Sequence, residues 1–308
     1  MKSTTGVSRR DFVKIAAAAS AASITVPLHG LAAGEGRAGD GWQIGCYTRP
    51  WDQFEYRVAL DGVAEAGFKH VGLMTAKCKG WVLVTVDSMS DEVAAISEEI
   101  KKRGLKALSI YGGDLPVGES VQTGVAGLKK LIDHCGICAC PNLLLGGTTD
   151  EKLFDRYYKV VAECCDYAEA KGVGLSVKPH GGQNATGPQC RKIIEQIGRK
   201  QFRLWYDPGN IFYYSDGTLD PVVDSATVNG LVVGMSVKDF KLPKEVLLNP
   251  GAGQVDFLKV LVNLRKGGFT DGPLIVECLE RGDPAHVTAD ARKALKFVEE
   301  LTQKTSKV

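Results

Sequence analysis

From Trp42 onward, short apolar runs alternate with longer segments in which apolar residues recur at helical spacing. Short apolar runs bounded by turn residues are typical of strands buried on both faces of a parallel sheet, and the longer segments are typical of crossover helices. The predicted strands are 43–47, 70–74, 106–111, 142–145, 174–178, 202–206, 232–237 and 274–278. The predicted helices are 54–66, 91–103, 121–134, 152–171, 188–198, 221–228, 255–266 and 284–302.

Eight strand–helix units predict an α/β fold, a single (β/α)8 TIM barrel over residues 42–308. Several predicted helices end in glycine just before the next strand, as a short connection requires. These glycines are Gly67, Gly104, Gly172, Gly267 and Gly268. A nucleotide-binding doubly wound sheet is disfavoured, because the residues after the first strand do not form a glycine-rich phosphate loop.

Charged side chains gather at the ends of the last four predicted strands. In a barrel of this kind the active site lies at the carboxyl ends of the strands. The first four strand ends are poor in ionisable groups, whereas strands 5 to 8 end at Lys178 with His180, Asp207 with Asn210, Lys238 with Asp239, and Glu277 with Glu280. We therefore expect the site on that side of the mouth, with Asp239 and Glu280 at its rim.

Each of these residues also has an ordinary structural explanation. Asp207 precedes Pro-Gly and could cap a turn. Lys178 and Lys238 could simply pair with the carboxylates, and His180 could make a local hydrogen bond in its loop. Glu277 is harder to explain in this way, because a carboxylate within an apolar strand is costly unless it is paired or metal-bound.

The strand ends resemble those of the xylose isomerase-like barrel superfamily, the sugar phosphate isomerase and epimerase group. The resemblance covers residues 42–302 and rests on Lys178-Pro179-His180-Gly181-Gly182, Asp207-Pro208-Gly209-Asn210, Val237-Lys238-Asp239, Gly251-x-Gly253-Gln254-Val255-Asp256-Phe257 and Ile275-Val276-Glu277. It implies one divalent metal, held by Glu, Asp, His and Glu on strands 5 to 8. It also implies proton transfer by two glutamates next to a sugar carbonyl.

The chain matches half of that ligand set. Asp207 stands at the strand 6 ligand and Glu277 at the strand 8 ligand, which is also a proton-transfer carboxylate in the family. Lys178 stands where the strand 5 Glu belongs, and Ser236 where the strand 7 His belongs. The usual four-ligand metal site therefore cannot form as such.

Two arrangements remain open at this point. In the first, His180 joins Asp207 and Glu277 as ligands of one divalent metal, Mn, Fe, Zn or Mg, since a histidine with two carboxylates suits such ions. In the second, no metal binds, and Lys178 and Lys238 supply the positive charge that stabilises an enolate. One of these lysines, with its pKa lowered, could also be the base.

Both arrangements predict one reaction class, proton abstraction next to the carbonyl of a sugar. The catalytic candidates are Glu277, Lys178 and Lys238. The candidates for substrate binding are His180, Asn210, Trp205 and Tyr47. We expect a small carbohydrate as partner, a free or oxidised sugar or a glycoside, that undergoes isomerisation, epimerisation or elimination. The alternative is a non-catalytic carbohydrate-binding barrel whose metal site has decayed.

Charge argues against other partners. The formal net charge is +2, and residues 1–33 carry a net +3, so the remaining chain is near neutral at −1. A near-neutral body gives no electrostatic basis for binding nucleic acid or an anionic membrane surface. The nuclease branch of the superfamily, which needs many histidine ligands and a basic groove, is disfavoured by the total of five histidines. A homodimer is the default expectation for assembly.

The N-terminus predicts export. Residues 8–14 hold the Arg9-Arg10 pair of a twin-arginine signal, an alanine-rich apolar stretch follows, and Leu31-Ala32-Ala33 offers a cleavage site. We predict a signal peptide over residues 1–33, a linker over residues 34–41 and a periplasmic or otherwise exported barrel. The apolar stretch is too short for a stable membrane span. The alternative is a disordered basic tail with an alanine-rich helix.

Nine cysteines do not form a recognisable disulfide framework, because the number is odd and the spacing irregular. Cys135, Cys138 and Cys140, with His134 beside them, could bind zinc. No second cysteine pair completes a tetrahedral set, so the sequence favours small packing residues at a helix end.

Overall fold

Eight parallel strands close into a barrel in sequence order in the computed structural model, which describes residues 41–307. The strands are β1 Trp42–Tyr47, β2 His70–Leu73, β3 Lys106–Tyr111, β4 Asn142–Leu145, β5 Gly174–Val177, β6 Phe202–Tyr206, β7 Val232–Val237 and β8 Gly272–Val276. The helices are α1 Tyr56–Ala66, α2 Ser90–Lys102, α3 Val121–Ile137, α4 Phe154–Ala170, α5 Gly187–Ile197, α6 Pro208–Tyr214, α7 Pro221–Ser225, α8 Phe257–Lys266 and α9 Pro284–Thr305. The predicted (β/α)8 barrel is confirmed, and the predicted signal peptide lies outside the described residues.

Element boundaries follow local chemistry closely. Two of the glycines that end helices adopt the left-handed conformation, with φ of 102° at Gly67 and 68° at Gly172, which side chains with a Cβ rarely tolerate. The sequence missed α6, because the Pro208-Gly209 dipeptide after Asp207 was interpreted as a turn. In the structure the Asp207 side chain caps that helix, and Pro208 takes its first position, where a missing N–H costs nothing.

The inside of the barrel holds a separate apolar layer, distinct from the larger core between the strands and the helices. Its buried members are Tyr47, Met74, Leu108, Leu144, Trp205 and Ile275. Two glycines make room for the two largest rings. A Cβ on Gly72 would collide with the Tyr47 ring, and one on Gly234 with the Trp205 ring. Each glycine is the register partner of the aromatic residue that it accommodates. These rings form the floor beneath the barrel mouth.

The cysteines of the barrel are all unpaired, and all but Cys78 are buried. Burial raises the pKa of the Cys138 thiol to about 12, which disfavours the thiolate form of this group. Within residues 41–307 no zinc-type cluster forms around Cys135, Cys138, Cys140 and His134. No helix among these residues is long and apolar enough to span a bilayer.

Candidate active site

Four charged side chains follow four neighbouring strands directly. Lys178, Asp207, Lys238 and Glu277 are the residues that come immediately after β5, β6, β7 and β8. Because these strands are adjacent in the closed barrel, their carboxyl ends bring the four side chains to one side of the mouth. The convergence that the sequence predicted is present in the structure.

Lys178 occupies the centre of this group. Its Nζ lies 3.0 Å from Asp207 Oδ2, 3.0 Å from Glu277 Oε1 and 2.8 Å from Glu277 Oε2. Only 3% of the lysine side chain is exposed, and neither carboxylate has any exposed surface. One ammonium group therefore holds two fully buried carboxylates together.

Glu277 receives further donors. The Ser236 hydroxyl donates to Oε2 at 2.7 Å, and Lys238 Nζ donates to Oε1 at 3.3 Å. The Arg49 guanidinium, two residues past the end of β1, lies 3.5 Å from the same Oε1. Both oxygens of Glu277 thus face donors, so burying this carboxylate leaves no lone pair unsatisfied.

Asp207 and Asn210 join the cluster to α6. Asp207 Oδ1 accepts the backbone N–H of Asn210 at 2.9 Å, while Oδ2 accepts from Lys178. Asn210 Oδ1 accepts from Lys238 Nζ at 2.8 Å, and its amide donates to the Pro179 carbonyl. Asp207 therefore caps a helix and also belongs to the charged cluster, two roles that the sequence had offered as alternatives.

The ionisation states follow from these contacts. Burial opposes the charge on Glu277, but Lys178, Lys238 and Arg49 outweigh it and hold its pKa well below the usual range. Burial also opposes the charge on Lys178, but Glu277 and Asp207 together raise its pKa. For Asp207, burial raises the pKa and the Lys178 ammonium only partly offsets it. Lys178 is consequently a fixed cation and not a proton acceptor.

His180 lies above the cluster as a neutral ring. Its ring centroid is 5.5 Å from that of Tyr214 and 6.4 Å from that of Tyr111. Burial and the nearby ammonium groups of Lys178 and Lys238 lower the pKa of His180 to about 3. The imidazole is therefore uncharged near neutral pH and can donate or accept a hydrogen bond at the mouth.

Tyr47 and Trp205 lie below the charged groups rather than at the open mouth. Both side chains are fully buried. The Tyr47 hydroxyl donates to Ser109 at 3.1 Å, and the Trp205 indole N–H donates to Ser236 at 3.1 Å. Their assignment to substrate binding stays a prediction, and in this structure they support the cluster from beneath.

A divalent metal does not fit among these residues as they stand. The position between the carboxylates of Asp207 and Glu277 is filled by the Lys178 ammonium. A metal ion there would also be repelled by Lys238 and Arg49. Among residues 41–307, the structure does not gather Asp207, Glu277 and His180 as a three-ligand group. The arrangement matches the lysine alternative of the two that the sequence left open.

One other carboxylate–histidine group lies at the rim beside β8. Glu280, His286 and Asp290 bring three ligand atoms within 4.8 Å of one another. Asp290 already pairs with Lys293 Nζ at 2.8 Å and accepts from Asn249. Glu280 and His286 are exposed and the buried Asp290 is already engaged, so this group does not form a ready metal site.

Arg49 and Asp239 differ from what the sequence suggested. Arg49 was not singled out, because the end of the first strand seemed poor in ionisable groups, although an arginine two residues after a strand is a usable signal. Asp239, expected at the rim, is fully buried. Its carboxylate accepts four backbone N–H groups, those of Phe240, Gly251, Gly253 and Val255. It anchors the loop that follows β7.

Comparison with known proteins agrees with the barrel. Residues 60–301 match the family described as xylose isomerase-like TIM barrel. A xylose isomerase domain protein from Planctomyces limnophilus superposes with a TM-score of 0.66 at 20% identity, covering 87% of this chain and 99% of that one. D-psicose 3-epimerase from Clostridium cellulolyticum H10 superposes with a TM-score of 0.65 at 14% identity, covering 84% of this chain and 99% of that one.

An L-ribulose 3-epimerase superposes equally well, with a TM-score of 0.65 at 15% identity, and 86% and 96% of the two chains are covered. No curated protein matches the chain by sequence. Identities this low establish the shared fold and leave the chemistry to be argued from the residues themselves.

Proposed function

Because this chain belongs to the xylose isomerase-like TIM barrel family, we propose that it is an enzyme of the sugar isomerase or epimerase kind that uses lysines where a metal would serve. Its substrate is a carbohydrate with a carbonyl group, a free or keto-sugar or a glycoside. The observation that carries the proposal is the Lys178 ammonium held within 3.0 Å of both Asp207 and Glu277 at the carboxyl ends of the strands.

The proposed chemistry begins with the sugar carbonyl facing the cations of the cluster. The C–H bond next to the carbonyl breaks, its electron pair forms a C=C bond, and the carbonyl oxygen takes the negative charge. Lys178 stabilises that oxyanion, and Lys238 adds a second positive charge once it has accepted the sugar proton, since positive charge held in place in a dry site lowers the barrier. Return of the proton to the same or the neighbouring carbon gives epimerisation or isomerisation, and loss of a β-substituent gives elimination.

Lys238 is the better placed of the two lysines to accept the proton. It meets a single carboxylate oxygen at 3.3 Å, with its other contact to the Asn210 amide oxygen. Lys178 instead meets three carboxylate oxygens. In this assignment Lys238 first releases one of its protons to solvent and then accepts the proton of the sugar C–H bond, while Lys178 remains a cation and Glu277 holds both lysines in position.

Exchange of sugar protons with solvent tests the proposal. Purified protein is incubated in D2O with ketoses, aldoses and keto-glycosides, and deuterium next to the carbonyl is followed by NMR. We expect exchange with wild type and with Lys244→Arg, an exposed lysine paired to Asp216. We expect Lys238→Arg to lose it by about a hundredfold or more, since arginine does not give up its proton.

A second candidate function is non-catalytic sugar binding, favoured by the complete engagement of the Glu277 oxygens. Binding by titration calorimetry without solvent exchange for any sugar would favour this candidate and rule out the enzyme. Solvent exchange that persists in Lys238→Arg would support the proposal of an enzyme but reject Lys238 as its base.

We also propose that the protein is exported through the twin-arginine route, on the strength of the Arg9-Arg10 pair and the apolar stretch after it. Changing both arginines to lysine should retain the protein in the cytoplasm. Cell fractionation of the two forms checks this, and unchanged export of the variant would reject the route.

A further inference from the structure

Arg49 has binding capacity that the cluster does not use. Its side chain is 30% exposed, against 3% for Lys178 and 6% for Lys238. The guanidinium lies 3.5 Å from Glu277 Oε1. That oxygen already accepts hydrogen bonds from Lys178 and Lys238. Across the described chain its guanidinium makes no closer polar contact, so most of its N–H donors are open to a ligand at the mouth.

The cluster also carries an excess of positive charge. Three cations, Arg49, Lys178 and Lys238, face two carboxylates, Asp207 and Glu277. The neighbouring pair of Asp52 and Arg281, 3.7 Å apart, adds one charge of each sign. His180 is neutral, so the residues of this group carry one more positive charge than negative, and Arg49 is the most exposed of the three cluster cations.

Three neutral side chains suited to a sugar ring lie beside the cluster. Tyr111, His180 and Tyr214 are half-buried and lie beside one another at the mouth. Within residues 41–307 their side-chain polar atoms have no hydrogen-bond partner, while the two carboxylates beneath them are fully engaged. A ligand therefore meets hydroxyl and imidazole groups for sugar hydroxyls, and one cation for an anionic substituent.

We propose that Arg49 is a specificity residue that binds the carboxylate of an acidic sugar, a uronate or a related keto-sugar acid. This inference rests on the proposed function and names its substrate class. A guanidinium pairs with a carboxylate through two parallel hydrogen bonds. One surplus charge in this group matches a monoanion, whereas a phosphate ester carries close to two negative charges.

Matched pairs of sugars test the inference by titration calorimetry on the full chain. The probes are D-glucuronate against D-glucose, D-galacturonate against D-galactose, and D-glucose 6-phosphate as the alternative anion. We expect wild type to bind the uronate at least about tenfold more tightly than its neutral partner. Arg49→Gln should lose about tenfold to a hundredfold in uronate affinity and keep its affinity for neutral sugars.

Two further variants distinguish a direct contact by Arg49 from the electrostatic effect of any nearby cation and from loss of folding. Arg281→Gln removes a neighbouring cation that is 49% exposed and should preserve the uronate preference. Arg49→Lys keeps the charge and should retain part of the preference, with all melting temperatures compared. The inference is overturned if wild type lacks the preference, if Arg49→Gln keeps it, if D-glucose 6-phosphate binds most tightly or if no uronate binds.

Solvent exchange, measured separately, keeps this inference distinct from the proposed function. Solvent exchange on neutral sugars without any preference for uronates would reject the role of Arg49 and leave the proposed enzymatic function standing. Uronate binding that depends on Arg49, without solvent exchange on any sugar, would reject the proposed enzymatic function and leave the role of Arg49 standing.

Discussion

The Ser236 hydroxyl donates to Glu277 Oε2 at 2.7 Å, and the same oxygen of Ser236 accepts the indole N–H of Trp205 at 3.1 Å. The family resemblance implies a metal-binding histidine at the position of this serine. Here it connects the aromatic floor of the barrel to the buried carboxylate. A position that looked like a lost ligand is thus a working part of a hydrogen-bond network.

Ser236→Ala should destabilise the fold by about 1–3 kcal/mol, because it leaves the buried Trp205 N–H unsatisfied and removes a donor from Glu277. Thermal unfolding should register a drop of a few degrees. Ser176→Ala is the matched control, since Ser176 is equally buried and makes only a 3.5 Å contact with the Leu143 carbonyl. Equal losses in the two variants would contradict the importance of the Ser236 network.

Chelation should leave the protein unchanged. Because Lys178 fills the space between Asp207 and Glu277, we expect elemental analysis to find less than one divalent metal per chain. We also expect EDTA to alter neither solvent exchange nor the melting temperature. Lys178→Glu replaces the ammonium with a third carboxylate and should gain thermal stabilisation from added Mn2+ that wild type lacks. A stoichiometric metal in wild type, with activity lost on its removal, would rule out the lysine-centred site.

Acid should weaken the fold partly through His180. The pKa of this imidazole is about 3 in the folded protein, through burial and the ammonium groups of Lys178 and Lys238, against 6.5 when unperturbed. Between these two values the unfolded chain binds a proton that the folded chain refuses, so stability falls as pH falls. At pH 5 this amounts to up to roughly 2 kcal/mol.

Urea unfolding of wild type and His180→Gln from pH 7.5 to pH 5 measures this contribution. The variant should lose less stability than wild type over that range. A residual slope is expected in both, because burial also lowers the pKa of His70 and His134. Parallel pH profiles for the two proteins would exclude His180 as a source of the acid sensitivity.

Asp239→Asn should loosen the loop after β7. An amide can accept at only one of its two heteroatoms, so about half of the four backbone N–H bonds to this side chain are lost, at a cost of roughly 2–5 kcal/mol. Hydrogen exchange should accelerate at Gly251, Gly253 and Val255. Asp256→Asn is the control, because Asp256 caps α8 and asparagine caps a helix equally well. Unchanged protection in Asp239→Asn would refute the anchoring role.

Most of the fold was predictable because its signals are local. Each buried strand is an apolar run whose length is set by the barrel wall, and the predicted strands agree with the observed ones to within about two residues. Glycines such as Gly67 and Gly172 marked helix ends, since only the left-handed conformation closes a short loop there. Helix α6 was missed because Pro208-Gly209 after Asp207 also describes a turn, and only tertiary packing decides between the two.

The site was predictable as a set of residues and not as a set of contacts. Strand order alone brings Lys178, Asp207, Lys238 and Glu277 together, and the sequence contained that order. Which ammonium lies between which carboxylates depends on side-chain directions around the barrel, and these are not encoded in the spacing. The sequence also did not show how deeply each residue is buried. Tyr47 and Trp205 lie near strand ends, as site residues do, but their side chains are buried inside the barrel.

The Lys178 position has a consequence for when the site becomes complete. A metal centre depends on what its surroundings supply, and it can be stripped or filled with the wrong ion. A cation carried on the polypeptide is present at a fixed ratio of one per chain and is in place as soon as β5, β6 and β8 are joined. For the proposed lysine-centred site, completion therefore requires only that the chain fold, and not that its compartment supply a metal ion.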